Sequence, residues 1–308
     1  SGWLVNERVV DASNTIVGEY LSSETADFSL RLRLTGSAQN LIIAASSEGV
    51  EKDGNLEYRL PLARSFSLSV SDQFITREAD HKGVSIRTYV FPQHHEAGET
   101  IIEVAKNALD LYAELFYPYP RKTLSLVSAD FLHNMETDGM LLISKGVIDF
   151  YRDAPLNNLT ILVPHEISHQ WFYSLVGNDP AKEPWLDETI ATYCESLYFE
   201  RYHPEHLAWW WSNRVDGFKP EGWVNATIYI PGGYSAYRDA VYLNGAKFMQ
   251  ELRNLTGDDA FFAALQQYTL QNTYKIASES DFFKALRNHS SADLNPLLQK
   301  YFENPPAY

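Results

Sequence analysis

The first 92 residues alternate between apolar and polar side chains, which is the pattern of a half-buried β-strand. The alternation is clearest over residues 28–35, 66–70 and 84–87, where every second residue is apolar. Asp53-Gly54 is a two-residue turn signal ahead of a further alternating segment, residues 56–60. These patterns predict a β-sheet domain over residues 1–95, and no residue of this part suggests chemistry.

The apolar period changes after residue 100. Residues 92–98 read as a linker, and residues 101–115 then place apolar side chains at helical spacing. Two prolines within Tyr117 to Pro120 end that helix. A short strand is predicted over Thr123 to Val127. Beyond it, the polar stretch 133–139 leads into an apolar run, Met140 to Ile143, which reads as an edge strand beside a cleft.

The rest of the chain reads as mainly helical, so the predicted fold class is α+β. The second domain is predicted to cover residues 96–308. Trp209 to Trp211 is a bulky run that reads as core more readily than as a cleft wall. Helices are predicted over about Leu159 to Ser174, Pro184 to about Tyr202, Tyr242 to Leu255 with a stop at Gly257, and Phe282 to Leu286 after a capping box at residues 278–281.

Charge and cysteine content narrow the function classes. The chain has 308 residues with 25 basic and 40 acidic side chains, a net charge of −15. This argues against nucleic acid and anionic membranes as partners, although such a charge is also a common solubility feature. The single cysteine, Cys194, excludes an intrachain disulfide and reads as a small core residue.

The start of the chain and the length of its apolar runs bear on where the protein is located in the cell. No run reaches transmembrane length, no signal peptide opens the chain, and its abrupt start at Ser1-Gly2-Trp3 reads as a fragment of a longer protein.

The segment Val163 to Trp171 carries the chemistry. It contains His165-Glu166-x-x-His169, and residues four apart lie on one face of a helix. Both imidazoles can therefore bind one metal ion, with Glu166 beside it as general base. The alternative is a pair of surface histidines on an amphipathic helix. That alternative fits poorly, because apolar residues flank the pair on both sides.

Two histidines leave a catalytic zinc site incomplete, because such sites usually have three protein ligands. Glu188 follows His169 by nineteen positions, which leaves room for a turn and a second helix that packs against the first. The pattern His-Glu-x-x-His-x18-Glu predicts one zinc ion per chain, held by His165, His169 and Glu188. Glu195 lies two turns after Glu188; it either orients a ligating histidine or is an exposed helix carboxylate.

The order of several segments resembles the zinc aminopeptidases of the membrane-alanyl-aminopeptidase and leukotriene-A4-hydrolase family. These enzymes are gluzincins with a thermolysin-like catalytic domain. The resemblance covers residues 96–308 well and residues 1–95 loosely, and it stops short of the large C-terminal helical domain of many members. The segments are Phe116 to Pro120, Asn134 to Glu136, His165 to Trp171, Gly177-Asn178, Trp185 to Glu188 and Val241 to Gly245.

The resemblance implies zinc-dependent hydrolysis that releases N-terminal residues from peptides. Tyr242 matches the family's tyrosine that stabilises the transition state; its other interpretation is a core aromatic. Glu136 matches the glutamate that anchors the substrate's free α-amine. Relatives of this short bacterial type are often exported or membrane-tethered, so the full-length protein is expected to be of that kind.

Some positions depart from the family pattern. His133, Asn134, Thr137 and Asp138 replace the usual neighbours of Glu136, and Asn244 stands where lysine is usual. Two further hypotheses therefore stay open: a zinc endopeptidase or other amide hydrolase, and a catalytically silent peptide-binding scaffold. The sequence leaves residue preference, native substrate and oligomeric state undetermined.

Overall fold

The computed structural model describes residues 17–35, 40–130, 133–152 and 155–305, together with the backbone of Trp3–Val5. Its internal contacts divide the chain into two compact units. The sheet unit comprises Thr25–Asp110 and Tyr119–Gln170. The helical unit comprises Ser1–Glu24, Leu111–Pro118 and Trp171–Tyr308. The fold class is α+β, as predicted, and the domain boundary near residue 95 stays a prediction.

The strands lie before residue 145. They are β1 Trp3–Val5, β2 Leu21–Ser23, β3 Ala26–Leu32, β4 Ile42–Ala45, β5 Gly49–Lys52, β6 Asn55–Ala63, β7 Leu68–Ser71, β8 Ile75–His81, β9 Val84–Val90, β10 Thr123–Ala129, β11 Met135–Thr137 and β12 Met140–Ser144. The turn predicted at Asp53-Gly54 joins β5 to β6, with φ of 50° and 70° at these two residues.

The α-helices follow from residue 95 onward. They are α1 His95–Leu115, α2 Lys145–Asp149, α3 Asn158–Ser168, α4 Glu188–Tyr202, α5 Leu207–Trp210, α6 Gly233–Tyr237, α7 Gly245–Thr256, α8 Asp258–Gln271, α9 Glu279–His289 and α10 Asn295–Tyr301. No helix among the described residues combines the length and hydropathy needed to span a bilayer.

The sheet unit is built on a five-stranded sheet in the order β11-β12-β10-β9-β8. Its three central strands are parallel, and both outer strands pair antiparallel to their neighbours. The apolar run Met140 to Ile143 therefore lies inside the sheet as β12, and the edge strand is the preceding β11. The predicted edge position was wrong, because near-continuous burial along the run is typical of an interior parallel strand.

Several helix boundaries differ from the sequence expectation, among them the start of α1 and the end of α3. In the segment predicted as a linker, residues 92–98, Pro92–His94 form a 3₁₀ turn and α1 begins directly after it at His95. The helix α3 ends at Ser168, short of the predicted Ser174. A helix cannot extend to Ser174, because Tyr173 has a φ of 137° and donates its backbone N–H to the carbonyl of Val176 in a tight turn.

Burial of α3 is nearly complete. Asn157 caps its start by accepting the backbone N–H of Thr160 at 2.9 Å. From Leu159 to its end, each residue except Leu162 is buried, and the helix packs against β11 and β12. Polar groups on such a helix need partners within the protein or from a bound group.

The helical unit packs around the side chain of Trp185. Its indole lies 5.1 Å to 6.1 Å from the rings of Phe248, Phe282, Phe283 and Phe302. In the bulky run 209–211, Trp210 is fully buried and its two neighbours are half-buried, so the core interpretation holds for Trp210. Cys194 is buried on α4, and the capping box at Ser278 and Asp281 is present at the start of α9.

Candidate metal centre

The two histidines of the motif lie at the C-terminal end of α3. His165 is 4% exposed and His169 is 1% exposed, and their ring centroids are 4.9 Å apart. His169 keeps helical backbone angles as the residue that caps the end of α3. Glu166, between them in sequence, is 5% exposed. Burial of all three side chains excludes the alternative of surface histidines.

Glu188 is the first residue of α4 and joins the histidines. One donor atom each from His165, His169 and Glu188 lies within 4.8 Å of the other two. A tetrahedral zinc ion with ligands at about 2.0–2.2 Å holds its donors about 3.4 Å apart. Two neutral imidazoles and a carboxylate are ligands that zinc prefers, and their close approach fits one such ion.

A second group of donors shares His169. Glu136, Glu166 and His169 also offer one atom each within 4.8 Å of one another, and all three side chains are buried. Two carboxylates at this distance repel each other when both are charged. The pair therefore favours a cation beside it, either a metal ion or a protonated amine.

Glu136 is the central residue of the edge strand β11, paired with Leu141 of β12. The neighbouring residues that depart from the family pattern differ in their exposure and in their hydrogen-bond partners. His133 is exposed, unlike the buried Glu136. Asn134 accepts the backbone N–H of Ser144 at 2.8 Å, and Thr137 donates to the carbonyl of Met140 at 2.7 Å.

Tyr242 hydrogen-bonds through its hydroxyl to the Glu188 carboxylate. It lies in a π-helical turn, Arg238–Asn244, and such turns are frequent at functional sites. Burial raises the pKa of Tyr242 well above its usual range, and the charge of Glu188 raises this pKa further. The hydroxyl therefore keeps its proton at neutral pH and is available as a donor. Its ring packs against Tyr237 with centroids 5.7 Å apart.

Gly245, three residues after Tyr242, packs directly against Thr189 of α4. A Cβ atom at Gly245 would lie 2.2 Å from the Thr189 Oγ1 atom and 2.8 Å from its Cγ2 atom. The Thr189 hydroxyl donates to the carbonyl of Val241. The absent side chain lets α7 approach α4 next to Glu188, and this approach sets the position of Tyr242. At Asn244, where the family has lysine, the side-chain amide donates to the carbonyl of Gly222 at 2.8 Å.

Glu195 is fully buried on α4, so its interpretation as an exposed helix carboxylate was wrong. Arg214 donates to both of its oxygens, each at 2.9 Å, and the Trp210 indole N–H donates to one at 3.1 Å. Sequence reasoning missed Arg214, because nothing local marks it as the partner of a residue nineteen positions earlier. Orientation of a histidine by Glu195 stays a prediction.

The sequence of the chain matches a protein-family model over about two thirds of its length. The model described as "Peptidase family M1 domain" matches residues 100–301, which include each of the site residues named above. Aminopeptidase N of Lactobacillus helveticus is 25% identical over 308 residues, covering 91% of this chain and 36% of that protein. Endoplasmic reticulum aminopeptidase 1 of Homo sapiens is 24% identical over 241 residues, covering 73% of this chain and 25% of that protein.

A solved structure shares the fold. It is a mutant M1 zinc metallopeptidase from Deinococcus radiodurans, with a TM-score of 0.67 and 21% identity. The match covers 93% of this chain and 66% of that one. The chain thus spans between a quarter and about a third of the length of these two curated relatives.

We expect Glu188→Ala to lose zinc. Removing one of three donors should weaken binding by more than about 100-fold, since even partners outside the ligand set can cost 10–100-fold. Zinc content after dialysis against a weak chelator measures this. Glu205→Ala removes an exposed carboxylate just after α4 and should keep its zinc. Full zinc occupancy in Glu188→Ala would refute the ligand assignment.

We expect Gly245→Ala to lower both stability and turnover. The new methyl group must displace Thr189, which should cost about 1–3 kcal/mol of unfolding free energy and move Tyr242 away from Glu188. Urea unfolding and kcat measure the two effects. Gly146→Ala is the matched control, because a Cβ atom there meets nothing closer than 3.5 Å. An unchanged kcat in a destabilised Gly245→Ala would count against a role in positioning Tyr242.

Proposed function

Because the chain belongs to peptidase family M1, we propose that it is a zinc metallopeptidase that releases N-terminal residues from peptides. The observation that carries the proposal is the pair of donor groups that share His169. One group offers the imidazoles and carboxylate of a zinc site, and the other sets two buried carboxylates beside it. The names of the relatives, which are aminopeptidases, support the same activity.

His165, His169 and Glu188 would hold the zinc ion. When bound, zinc polarises a carbonyl oxygen and makes a water molecule more acidic. Glu166 is the general base: its carboxylate takes a proton from the attacking water and passes it to the nitrogen of the leaving amine. Its position one residue after His165, on the same buried helix, supports this role.

Tyr242 is the proposed hydrogen-bond donor to the oxygen that becomes negative as water adds to the peptide carbonyl. A donor must keep its proton to act in this way, and the raised pKa of Tyr242 meets that requirement. In the absence of substrate, the hydroxyl bonds to Glu188. We propose that it turns from this carboxylate to the developing oxyanion.

Glu136 is the proposed anchor for the substrate's α-ammonium group. The buried carboxylates of Glu136 and Glu166 favour a cation, and a protonated amine supplies one. An ammonium held there fixes the register of the peptide, so that cleavage falls after the first residue. An endopeptidase would have no use for a carboxylate that selects chain ends.

We expect Glu166→Gln to abolish most turnover and to keep zinc. The amide cannot accept the proton of water, and loss of a general base typically costs about 10²–10⁴-fold in rate. Turnover of an aminoacyl fluorogenic amide and zinc content per chain measure the two effects. Glu103→Gln, on the exposed surface of α1, is the matched control. Appreciable activity in zinc-loaded Glu166→Gln would contradict the general-base role.

We expect a free-amine peptide to be cleaved much faster than its N-acetylated twin. A charge-assisted hydrogen bond contributes about 1.5–3 kcal/mol, so kcat/KM should differ by roughly 10–150-fold. Glu136→Gln should bring this ratio close to one while zinc content stays unchanged. Equal cleavage of both peptides by the parent protein would favour the endopeptidase. No cleavage of any peptide by zinc-loaded protein would favour the silent scaffold.

A further inference from the structure

Gln170 follows His169 directly and lies just past the end of α3. Its side chain is 1% exposed and makes two hydrogen bonds to one turn of the sheet. The Oε1 atom accepts the backbone N–H of Gly139 at 2.9 Å, and the Nε2 atom donates to the carbonyl of Thr137 at 2.9 Å. Thr137 and Gly139 belong to the tight turn between β11 and β12. One amide thus ties the end of α3 to the strand that carries Glu136.

The far side of this turn is fixed by Asp138, which is fully buried. Its Oδ2 atom accepts the backbone N–H groups of Arg64 and Ser65 at 3.0 Å and 2.9 Å and the Ser65 hydroxyl at 3.1 Å. Its Oδ1 atom pairs with the Arg121 guanidinium, which is itself 8% exposed. A buried charge with this many partners holds the backbone of the turn in one place.

Gly139 packs closely against neighbouring backbone. Its φ is +68°, and a Cβ atom there would lie 2.3 Å from the backbone carbonyl oxygen of Ser46. Its own carbonyl accepts the backbone N–H of Ser125 on β10 at 3.0 Å. The turn is therefore held by the sheet and by Asp138. The Gln170 side chain connects the turn to the end of α3 by hydrogen bonds.

We infer that Gln170 is a positioning residue: its paired hydrogen bonds to the β11–β12 turn set the distance between the amine-anchoring Glu136 and the residues Glu166 and His169. The inference rests on the proposed function and extends it. Glu136 lies in an edge strand of three residues, two positions before Asp138 with Thr137 between them. A displacement of the turn therefore moves its carboxylate directly.

The choice of glutamine follows from the geometry. Both a donor and an acceptor are required, because the turn offers the N–H of Gly139 and the carbonyl of Thr137. Glutamate would keep the bond to Gly139 and set a negative oxygen against the Thr137 carbonyl. Asparagine is one methylene shorter, and leucine fills the space with neither bond. Each replacement loosens Glu136 without touching a zinc ligand.

A displaced Glu136 should affect the cleavage of free-amine peptides more than that of N-acetylated peptides. A free-amine peptide needs Glu136 at one distance from the reacting atoms, and misplacement of about 1 Å can cost up to about 100-fold. An N-acetylated peptide makes no ammonium contact with Glu136. Loosening the turn should therefore raise KM for the free-amine peptide and leave the acetylated peptide almost unchanged.

The experiment compares Gln170→Leu and Gln170→Glu with the parent protein on the free-amine peptide and its N-acetylated twin. We expect Gln170→Leu to lower the ratio of kcat/KM values about tenfold, mainly through KM, with zinc content unchanged. The ratio of kcat/KM values for Gln170→Glu should lie between those of Gln170→Leu and the parent protein. Gln271→Leu, an exposed glutamine at the end of α8, is the matched control and should keep the parent ratio.

A second readout is independent of activity. Hydrogen exchange at the Gly139 amide should quicken in Gln170→Leu and stay slow in Gln170→Glu, whose carboxylate still accepts that N–H. The double variant Gln170→Leu with Glu136→Gln should show a ratio no lower than Glu136→Gln alone, because both changes remove the same contact.

The possible results separate the inference from the proposed function. Equal loss of activity on both peptides in Gln170→Leu, or loss of its zinc, would mean a purely structural role and would overturn the inference. The same holds if Glu136→Gln lowers the ratio and Gln170→Leu does not. If Glu136→Gln itself leaves the parent ratio unchanged, amine anchoring is wrong, and the inference fails with the proposed function.

Discussion

The cost of burying charge is the constraint on which the site depends. His165, His169, Glu136 and Glu166 are each less than one tenth exposed, and they share close contacts with one another or with Glu188. An isolated carboxylate in such surroundings is strongly destabilising unless a cation or several donors compensate it. Without a compensating cation, this cluster works against the stability of the fold. A zinc ion and a substrate ammonium are both cations, so under the proposed function the arrangement that would bind the metal would also favour a peptide with a free amino terminus.

Close packing within the helical unit holds the residues that surround Glu188. Thr189 fills the space that a side chain at Gly245 would need, and its hydroxyl holds the carbonyl of Val241. Tyr242, one residue later, then reaches the Glu188 carboxylate. Two turns along α4, Glu195 is neutralised by the bidentate contact of Arg214. The Arg214 guanidinium thus compensates the buried charge of Glu195.

Local pattern was sufficient for the parts of the site that lie on regular helices. The spacing of His165 and His169 and the interval to Glu188 needed only the period of a helix and the ligand count of zinc. The end of α3 was missed, because a positive φ at Tyr173 leaves no trace in apolar periodicity. The early start of α1 was missed because Pro92 reads as a helix breaker, whereas here it opens a 3₁₀ turn. Arg214 and Gln170 were missed for a different reason: their partners are nineteen and thirty-one positions away, and only the fold brings them together. For Gln170 a signal did exist, since it is an uncharged polar residue directly ahead of the aromatic run Trp171 to Tyr173.

The departures at Thr137 and Asp138 can be understood in the same physical terms. A turn next to the reacting atoms must be rigid, and rigidity there can come from small residues that pack closely or from buried polar groups that are fully bonded. This chain uses the second solution: Asp138 pairs with Arg121 and accepts three donors from Arg64 and Ser65. The substitutions thus change how the turn is held and leave the glutamate it carries in its place beside Glu166. In the proposed function, the metal ligands lie on α3 and at the start of α4, whereas the anchor for the peptide's amino terminus lies beside the β11–β12 turn. Asp138 and Arg121 hold one side of this turn, and the Gln170 amide holds the other. The Gln170 amide connects the turn to the end of α3, so under the proposed function a change at Gln170 should alter specificity and leave the zinc ligands in place.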